Sequence, residues 1–289
     1  MGYLVGVDGG GTGCRAVVAD EGGKVLGRAE GGPANIATDL QSARANILGA
    51  VDAAFTAAGI PVGAVANAAA VLGLAGSNLG DYRAQLMAAL PFAKAIIVSD
   101  AQTTLVGAIG NAEGCVAAIG TGSVFARQDD ASGFTQLGGW GFLLGDDGSG
   151  ARLGQDIMRR SLLAHDGLVP HSPLTLEILT DFNQSPSQMV ERAKRFTPGE
   201  FGRFAPLVVA AAKAGDINAE HIMAHHTEIV RLSIEATGFA PGKAFCMLGG
   251  LGPIYLERLD AKYKRAAKSP LGNALDGAVI LAKRLTKTP

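Results

Sequence analysis

The sequence predicts an α/β fold of two domains with duplicated βββαβα topology around a central cleft. Three observations carry that prediction. A meander of short apolar strands opens the chain and a second one opens after Asn111. Each meander's first strand runs into a turn of glycine and hydroxyl residues. Elsewhere, periods of two alternate with periods near 3.6, the pattern of strands interleaved with helices.

In order, Tyr3 to Asp8, Cys14 to Ala19 and Lys24 to Ala29 read as strands joined by glycine turns. Thr38 or Asp39 caps a helix whose apolar positions Leu40, Ala43, Ile47, Leu48, Val51, Ala54, Phe55 and Ala58 recur at helical spacing. A strand (Ala68 to Leu74), a helix (Leu79 to Leu90), a strand (Ala95 to Ser99) and a helix (Ala101 to Ile109) follow. The plan restarts with strands at Cys115 to Ile119, Ser123 to Arg127 and near Thr135. It then diverges into a long helical region, Asp147 to Phe239, before a strand at Ala244 to Leu248 and helices near Pro253 to Tyr263 and Asn273 to Leu285. This places the domains at residues 1–110 and 111–272, with the ligand site in the cleft between them.

Composition narrows the function. In 289 residues, 25 basic and 26 acidic side chains give a net charge of −1. Without a basic excess or stripe, binding to nucleic acid or anionic membrane by charge is not expected. The uncharged stretch Ala53 to Gly80 is cut by Gly59, Pro61, Gly63, Asn67, Gly73 and Gly76 and reads as loop, buried strand and loop rather than a membrane span. Cys14, Cys115 and Cys246 lie far apart with no CxxC spacing, against a disulfide framework or cysteine zinc site. The N-terminus lacks the basic region of a signal peptide, and the expected setting is the reducing cytoplasm.

Asp8-Gly9-Gly10-Gly11-Thr12-Gly13 follows the first strand. Its glycines let backbone N–H groups approach an anion, Thr12 adds a hydroxyl, and Asp8 can hold Mg²⁺ through water. The plainer reading is a glycine hairpin with Asp8 as a turn former. Ile119-Gly120-Thr121-Gly122-Ser123 stands at the corresponding point of the second half, and two such turns facing one cleft could hold phosphates from both sides. No GxxxxGK[ST], GxGxxG or GxSxG motif occurs at these turns.

DGGGTGCR, VSDAQTTLVGA, IGTGS, GGWGFLLGDDGSG and MLGGLGP together resemble the sugar-kinase branch of the actin, Hsp70 and hexokinase superfamily. They resemble most closely the N-acetylglucosamine kinase and BadF/BadG/BcrA/BcrD group. Residues 163–174 and Phe201 to Pro206 are similar to bacterial glucosamine kinases in particular. The resemblance spans essentially the whole chain. It implies two actin-like (ribonuclease H-like) domains, the last helix, 273–289, packing back on the first, and transfer of the γ-phosphoryl of Mg²⁺-ATP to the 6-hydroxyl of glucosamine or N-acetylglucosamine. A homodimer is a further expectation.

By the same resemblance, Gly10, Gly11, Thr12, Gly13, Thr121, Gly122 and Ser123 meet the ATP phosphates, and Gly249 and Gly250 flank the adenosine. Asp100 is the general base. Its plain alternative is a helix N-cap. Asn35 and Asp146 hold sugar hydroxyls, and Gly139 and Trp140 form the adjoining wall. Val124 stands where animal-type N-acetylglucosamine kinases carry a sugar-contacting asparagine, which tilts the expectation toward free glucosamine. Two rivals stay open: a BadF-type ATPase activating a dehydratase by electron transfer, and a non-catalytic sugar or nucleotide sensor. His221, His225 and His226 read as surface or packing histidines. His165 and His171 receive no role.

Overall fold

β1 (Tyr3–Gly9) is buried along most of its length, as expected of a central strand covered on both faces. It pairs antiparallel with β2 (Cys14–Ala19) and parallel with β4 (Ala68–Leu74), with Asp8 opposite Arg15 on one side and Gly73 on the other. β3 (Val25–Gly31) and β5 (Lys94–Val98) complete a sheet of order β3-β2-β1-β4-β5. The computed structural model describes residues 2–129 and 133–287.

Side chains alternate across this sheet. Val5, Val7, Ala16 and Val18 pack under α1 (Leu40–Ala57), with Ile47, Val51 and Phe55 fully buried, each such side chain contributing roughly 1.5–3 kcal/mol. Leu4, Val17, Ala69 and Val71 face the opposite way, onto Val106 of α3 (Asp100–Ile109) and Leu275, Ala278 and Val279 of α12 (Ala274–Lys287). α3 and α12 touch backbone to backbone: a Cβ on Gly107 would overlap the Asn273 carbonyl, and one on Gly277 that of Thr103. This contact seats the start of α3 at the carboxyl ends of the parallel strands.

The second sheet holds β6 (Gly114–Ile119), β7 (Ser123–Gln128), β8 (Phe134–Gly138) and β9 (Ala244–Leu248), in the order β8-β7-β6-β9. This repeats the β3-β2-β1-β4 order of the first, so the duplicated actin-like α/β architecture is present. Between β8 and β9 the expected helical region resolves into α4 (Gly150–His165), α5 (Pro173–Thr180), α6 (Pro186–Ala193), α7 (Pro198–Gly202), α8 (Ala205–Lys213) and α9 (Ile217–Ala236). α10 (Gly252–Arg258) and α11 (Ala261–Ala266) follow β9. One core joins Ile119, Phe125, Leu153, Ile157, Val230 and Tyr255.

Two expected helices are shorter than their periodicity suggested. The stretch from Leu79 to Leu90 forms only α2 (Tyr82–Met87), because Gly80 takes a positive φ of 48° just ahead of it. Pro253 to Tyr263 is interrupted where Leu259 turns extended, and Asp260 opens α11. The chain falls into two compact units, Met1–Gly114 with Gln128–Phe134 and Ser269–Pro289, and Cys115–Arg127 with Thr135–Lys268. Among the described residues no helix is long and apolar enough to cross a membrane.

Candidate active site

In the first unit the residues singled out by sequence collect at the carboxyl ends of β1, β4 and β5, where open α/β sheets bind ligands. The hairpin after β1 is closed by Gly10 N–H donating to the Gly13 carbonyl at 2.9 Å. Ala34 N–H donates to the Gly10 carbonyl at 2.8 Å, and Ala75 N–H to that of Gly9 at 2.9 Å. Gly11 and Thr12 at the tip are exposed. Gly10 N–H is therefore spent inside the turn, and the donors left facing outward come from the tip.

Asp8, at the end of β1, is ion-paired with Arg15, its cross-strand neighbour on β2. Asn35 turns the chain ahead of α1, its Oδ1 accepting from Ala37 N–H at 3.0 Å and lying against Gly76. Asp100 is the first residue of α3 and half-buried; its Oδ1 accepts from Ala101 N–H at 2.8 Å. The helix cap is Ser99, whose hydroxyl accepts from Gln102 N–H at 3.3 Å. Capping is thus discharged by the neighbouring residue, and the N-cap reading of Asp100 falls away.

The second unit repeats the scheme. Gly120 N–H closes on the Gly122 carbonyl at 2.9 Å, Gly150 N–H donates to the Gly120 carbonyl at 2.8 Å, and Leu251 N–H donates to that of Ile119 at 3.1 Å. Gly31-Gly32-Pro33-Ala34-Asn35 and Gly145-Asp146-Asp147-Gly148-Ser149-Gly150 therefore occupy equivalent places beside the two hairpins, a correspondence stronger than the element order alone. Gly249, at φ 78°, lies so close to Ile119 that a Cβ would overlap its carbonyl oxygen. Glycine is obligatory there, and Gly249 and Gly250 stand exposed beside the Thr121 turn.

Ser123 differs from its expected role. It is buried, and its hydroxyl donates to the Asp147 carbonyl at 2.7 Å. That leaves the exposed Thr121 hydroxyl as the turn's side-chain donor. The Asp146 carboxylate lies against Gly122. Burial pushes the Asp146 carboxyl above its ordinary range, against the opposing pull of the Ser123 and Gly141 backbone N–H groups and the Arg152 cation. Its φ of 62° is unusual for a residue with a Cβ, the kind of strain that collects at ligand sites. Gly139 N–H donates to the Ser123 carbonyl at 3.2 Å, and Trp140, 67% exposed, follows it.

Two features escaped the sequence reading. Arg15 was legible only once the β1/β2 register placed it opposite Asp8. His226, read as an ordinary histidine, is 2% exposed and bonds Gly148 and Asp156; those partners are 78 and 70 positions away, beyond any local signal. Among the described residues no three His, Cys, Asp or Glu are placed to hold a metal. Asp8 with the glycine tip suits a cation that arrives on phosphate oxygens and keeps its waters. All three cysteines are buried.

Glucosamine kinase GspK of Vibrio cholerae is 29% identical to the chain over 283 residues, 98% of this chain and 96% of its own. The N-acetylmuramic acid/N-acetylglucosamine kinase of Clostridium acetobutylicum is 26% identical over 245 residues, 82% of this chain and 79% of its own. A solved protein from Chromobacterium violaceum, described as a candidate N-acetylglucosamine kinase, superposes with a TM-score of 0.87 at 33% identity, covering 97% of this chain and 98% of that one. Residues 5–266 match the BadF/BadG/BcrA/BcrD ATPase family, and the chain belongs to that family.

Proposed function

We propose that the protein is an ATP-dependent amino-sugar kinase that phosphorylates the 6-hydroxyl of glucosamine or N-acetylglucosamine. The observation that carries this reading is the pair of equivalent hairpins, each tied to its surroundings by two matching backbone hydrogen bonds, with carboxylates of Asp8 and Asp100 at strand ends in one unit and Asp146 in the other. Its relatives are kinases of that substrate class, one of them matching over nearly the whole length of both chains.

When bound, Mg²⁺-ATP supplies the γ-phosphoryl group and neutralises charge developing on it. The turn tips, Gly11-Thr12-Gly13 and Thr121-Gly122, offer backbone N–H and hydroxyl donors to phosphate oxygens, and Asp8, ion-paired with Arg15 in this structure, would hold the waters of the cation. Asp100 accepts the proton of the sugar 6-hydroxyl as the oxygen attacks, a role open to it because Ser99 already caps the helix. Asn35 and Asp146 hold sugar hydroxyls. Half-buried Asp146 is a directional acceptor whose hydrogen bonds strengthen as water is excluded from the site.

The buried cysteines disfavour the dehydratase-activator reading, which needs thiolates on a surface to share an iron–sulfur cluster. A coupled ADP-release assay with glucosamine, N-acetylglucosamine and glucose tests the proposal. We expect turnover with an amino sugar, glucosamine ahead because Val124 gives the acetyl form no polar anchor. A preference for glucose, or no ADP release with any of the three, overturns it.

A further inference from the structure

The backbone of Gly148 is gripped on both sides of its Cα by buried side chains. Its N–H donates to Nδ1 of His226 at 3.0 Å, and its carbonyl accepts from the Tyr255 hydroxyl at 2.7 Å. His226 is 2% exposed and Tyr255 wholly buried. Since Nδ1 accepts, the ring proton resides on Nε2, which lies 2.7 Å from Oδ2 of Asp156. The carboxylate accepts that proton's hydrogen bond and so fixes the tautomer that leaves Nδ1 open. Burial pushes the Tyr255 phenol well above its ordinary range, so it remains a donor. Three helices thus converge on one residue: α9 through His226 and α10 through Tyr255 directly, and α4 through Asp156 by way of His226.

Gly148 lies two residues beyond Asp146. Ser149 N–H donates back to the Asp146 carbonyl at 3.0 Å, and the intervening Asp147 carbonyl takes the Ser123 hydroxyl. Asp146 at φ 62° and Gly148 at φ 80° are both in the left-handed region. A strained segment persists only where its surroundings over-determine it. The surroundings here are the Gly148 clamp, because a Cβ at Gly148 would also press into Val230 and the loop has no slack on that side.

We propose that His226, oriented by Asp156 and seconded by Tyr255, is a positioning residue that holds the Asp146 loop in its sugar-binding conformation. The proposal rests on the reading that Asp146 contacts the sugar. Its chemistry is a backbone donor and acceptor that water would otherwise claim. With the clamp removed, a buried N–H is left unpaired and the loop relaxes toward solvent, carrying Asp146 out of register.

Two variants test it. His226→Leu fills the site without an acceptor, while His226→Asn keeps an oxygen near the Nδ1 position. His226→Leu should raise the sugar KM about 10- to 100-fold, as expected for an orphaned buried N–H, with the ATP KM changed by less than about threefold. His226→Asn should recover most of the loss. Amide hydrogen exchange over residues 140–150 provides a readout independent of catalysis: protection at Gly148 falls in His226→Leu and returns in His226→Asn.

An unchanged sugar KM in a folded His226→Leu protein overturns the proposal, as does an asparagine variant no better than leucine, which would signal packing alone. If the wild-type protein proves not to phosphorylate amino sugars, the functional reading fails by itself and the exchange data still decide the clamp, unchanged protection refuting it. Should His226→Leu not fold, Tyr255→Phe deletes one hydroxyl and carries the same expectation at about fivefold in sugar KM, a wild-type value refuting it.

Discussion

In the hairpin after β1, backbone groups hold the turn: Gly10 closes on Gly13, Ala34 and Ala75 donate to the carbonyls of Gly10 and Gly9, the adjoining loop has one side-chain brace, Asn46 Nδ2 donating to the Pro33 carbonyl at 2.7 Å, and the nearby carboxylates of Asp8 and Asp100 stand half-buried at strand ends. In the hairpin after β6 the same backbone scheme is reinforced by side chains, with Ser123 on Asp147, His226 and Tyr255 on Gly148, and Arg152 on the Gly145 carbonyl at 2.9 Å. The difference teaches that one plan can be spent two ways. The first half leaves its carboxylates half-buried, with Asp8 in a solvent-screened ion pair with Arg15 that a ligand can displace, whereas the second braces a strained loop with buried side chains and so reduces the ordering left for binding.

The comparison breaks first at Asp100. If the first half carries the reactive groups, Asp100→Asn lowers kcat by about 100-fold or more, the size expected on losing a general base, with the ATP KM little changed. Steady-state rates with saturating amino sugar measure this. A variant within a factor of about three of wild type would move the chemistry away from α3.

Gly249→Ala probes the second half by sterics. The new Cβ meets the Ile119 carbonyl at a backbone conformation that disfavours it. We expect a stability loss of about 3 kcal/mol and an ATP KM raised about tenfold, read by urea unfolding and by kinetics. Gly250→Ala, where a Cβ meets no protein atom, is the stability control and should unfold as wild type does.

These glycines also mark what sequence could reveal. β2 and β4 match the structure residue for residue because largely apolar runs are bounded by turn residues, Gly13 and Asp20 around β2 and Asn67 and Gly76 around β4. Of the two caps the sequence offered, Thr38 and Asp39, the structure selects Asp39, whose carboxylate accepts from Ser42 N–H. The region after Asp147 was legible as helical but not as separate helices, although Ser172-Pro173, Ser185-Pro186 and Thr197-Pro198 each pair a capping side chain with proline at the first helical position. The two glycine turns were readable from composition. Which of their donors were already spent was not, because Gly10 N–H and the Ser123 hydroxyl are consumed by partners that only the folded chain supplies.

Asp146→Asn separates function from stability. The raised carboxyl means that the folded state resists its ionisation, so the wild-type residue contributes most below the ordinary Asp range and loses that contribution as pH rises through its elevated pKa. The asparagine variant should therefore be as stable as wild type or up to about 1 kcal/mol more stable at pH 7, with the advantage shrinking on acidification toward pH 4. Its sugar KM should rise about tenfold or more. Denaturant midpoints at both pH values check the sign, and a variant less stable at pH 7 than at pH 4 relative to wild type contradicts it.

The smallest effect is expected at Arg15, and it sharpens the contrast most. Arg15 is 51% exposed and Asp8 17%, so solvent screens their pair, and Arg15→Ala should cost less than about 1 kcal/mol of stability. If the first half is built to exchange partners, the arginine's work is to hold Asp8 when no nucleotide is bound, and its loss should alter the Mg²⁺ dependence of activity more than the maximal rate. Titrating Mg²⁺ at fixed ATP should give a half-maximal concentration shifted by about two- to fivefold, while Ser123→Ala in the second half, whose hydroxyl is committed to Asp147, leaves that concentration unchanged. Equal shifts in the two variants would mean that both hairpins are organised alike, and that the distinction drawn between an exchanging half and a fixed half does not hold.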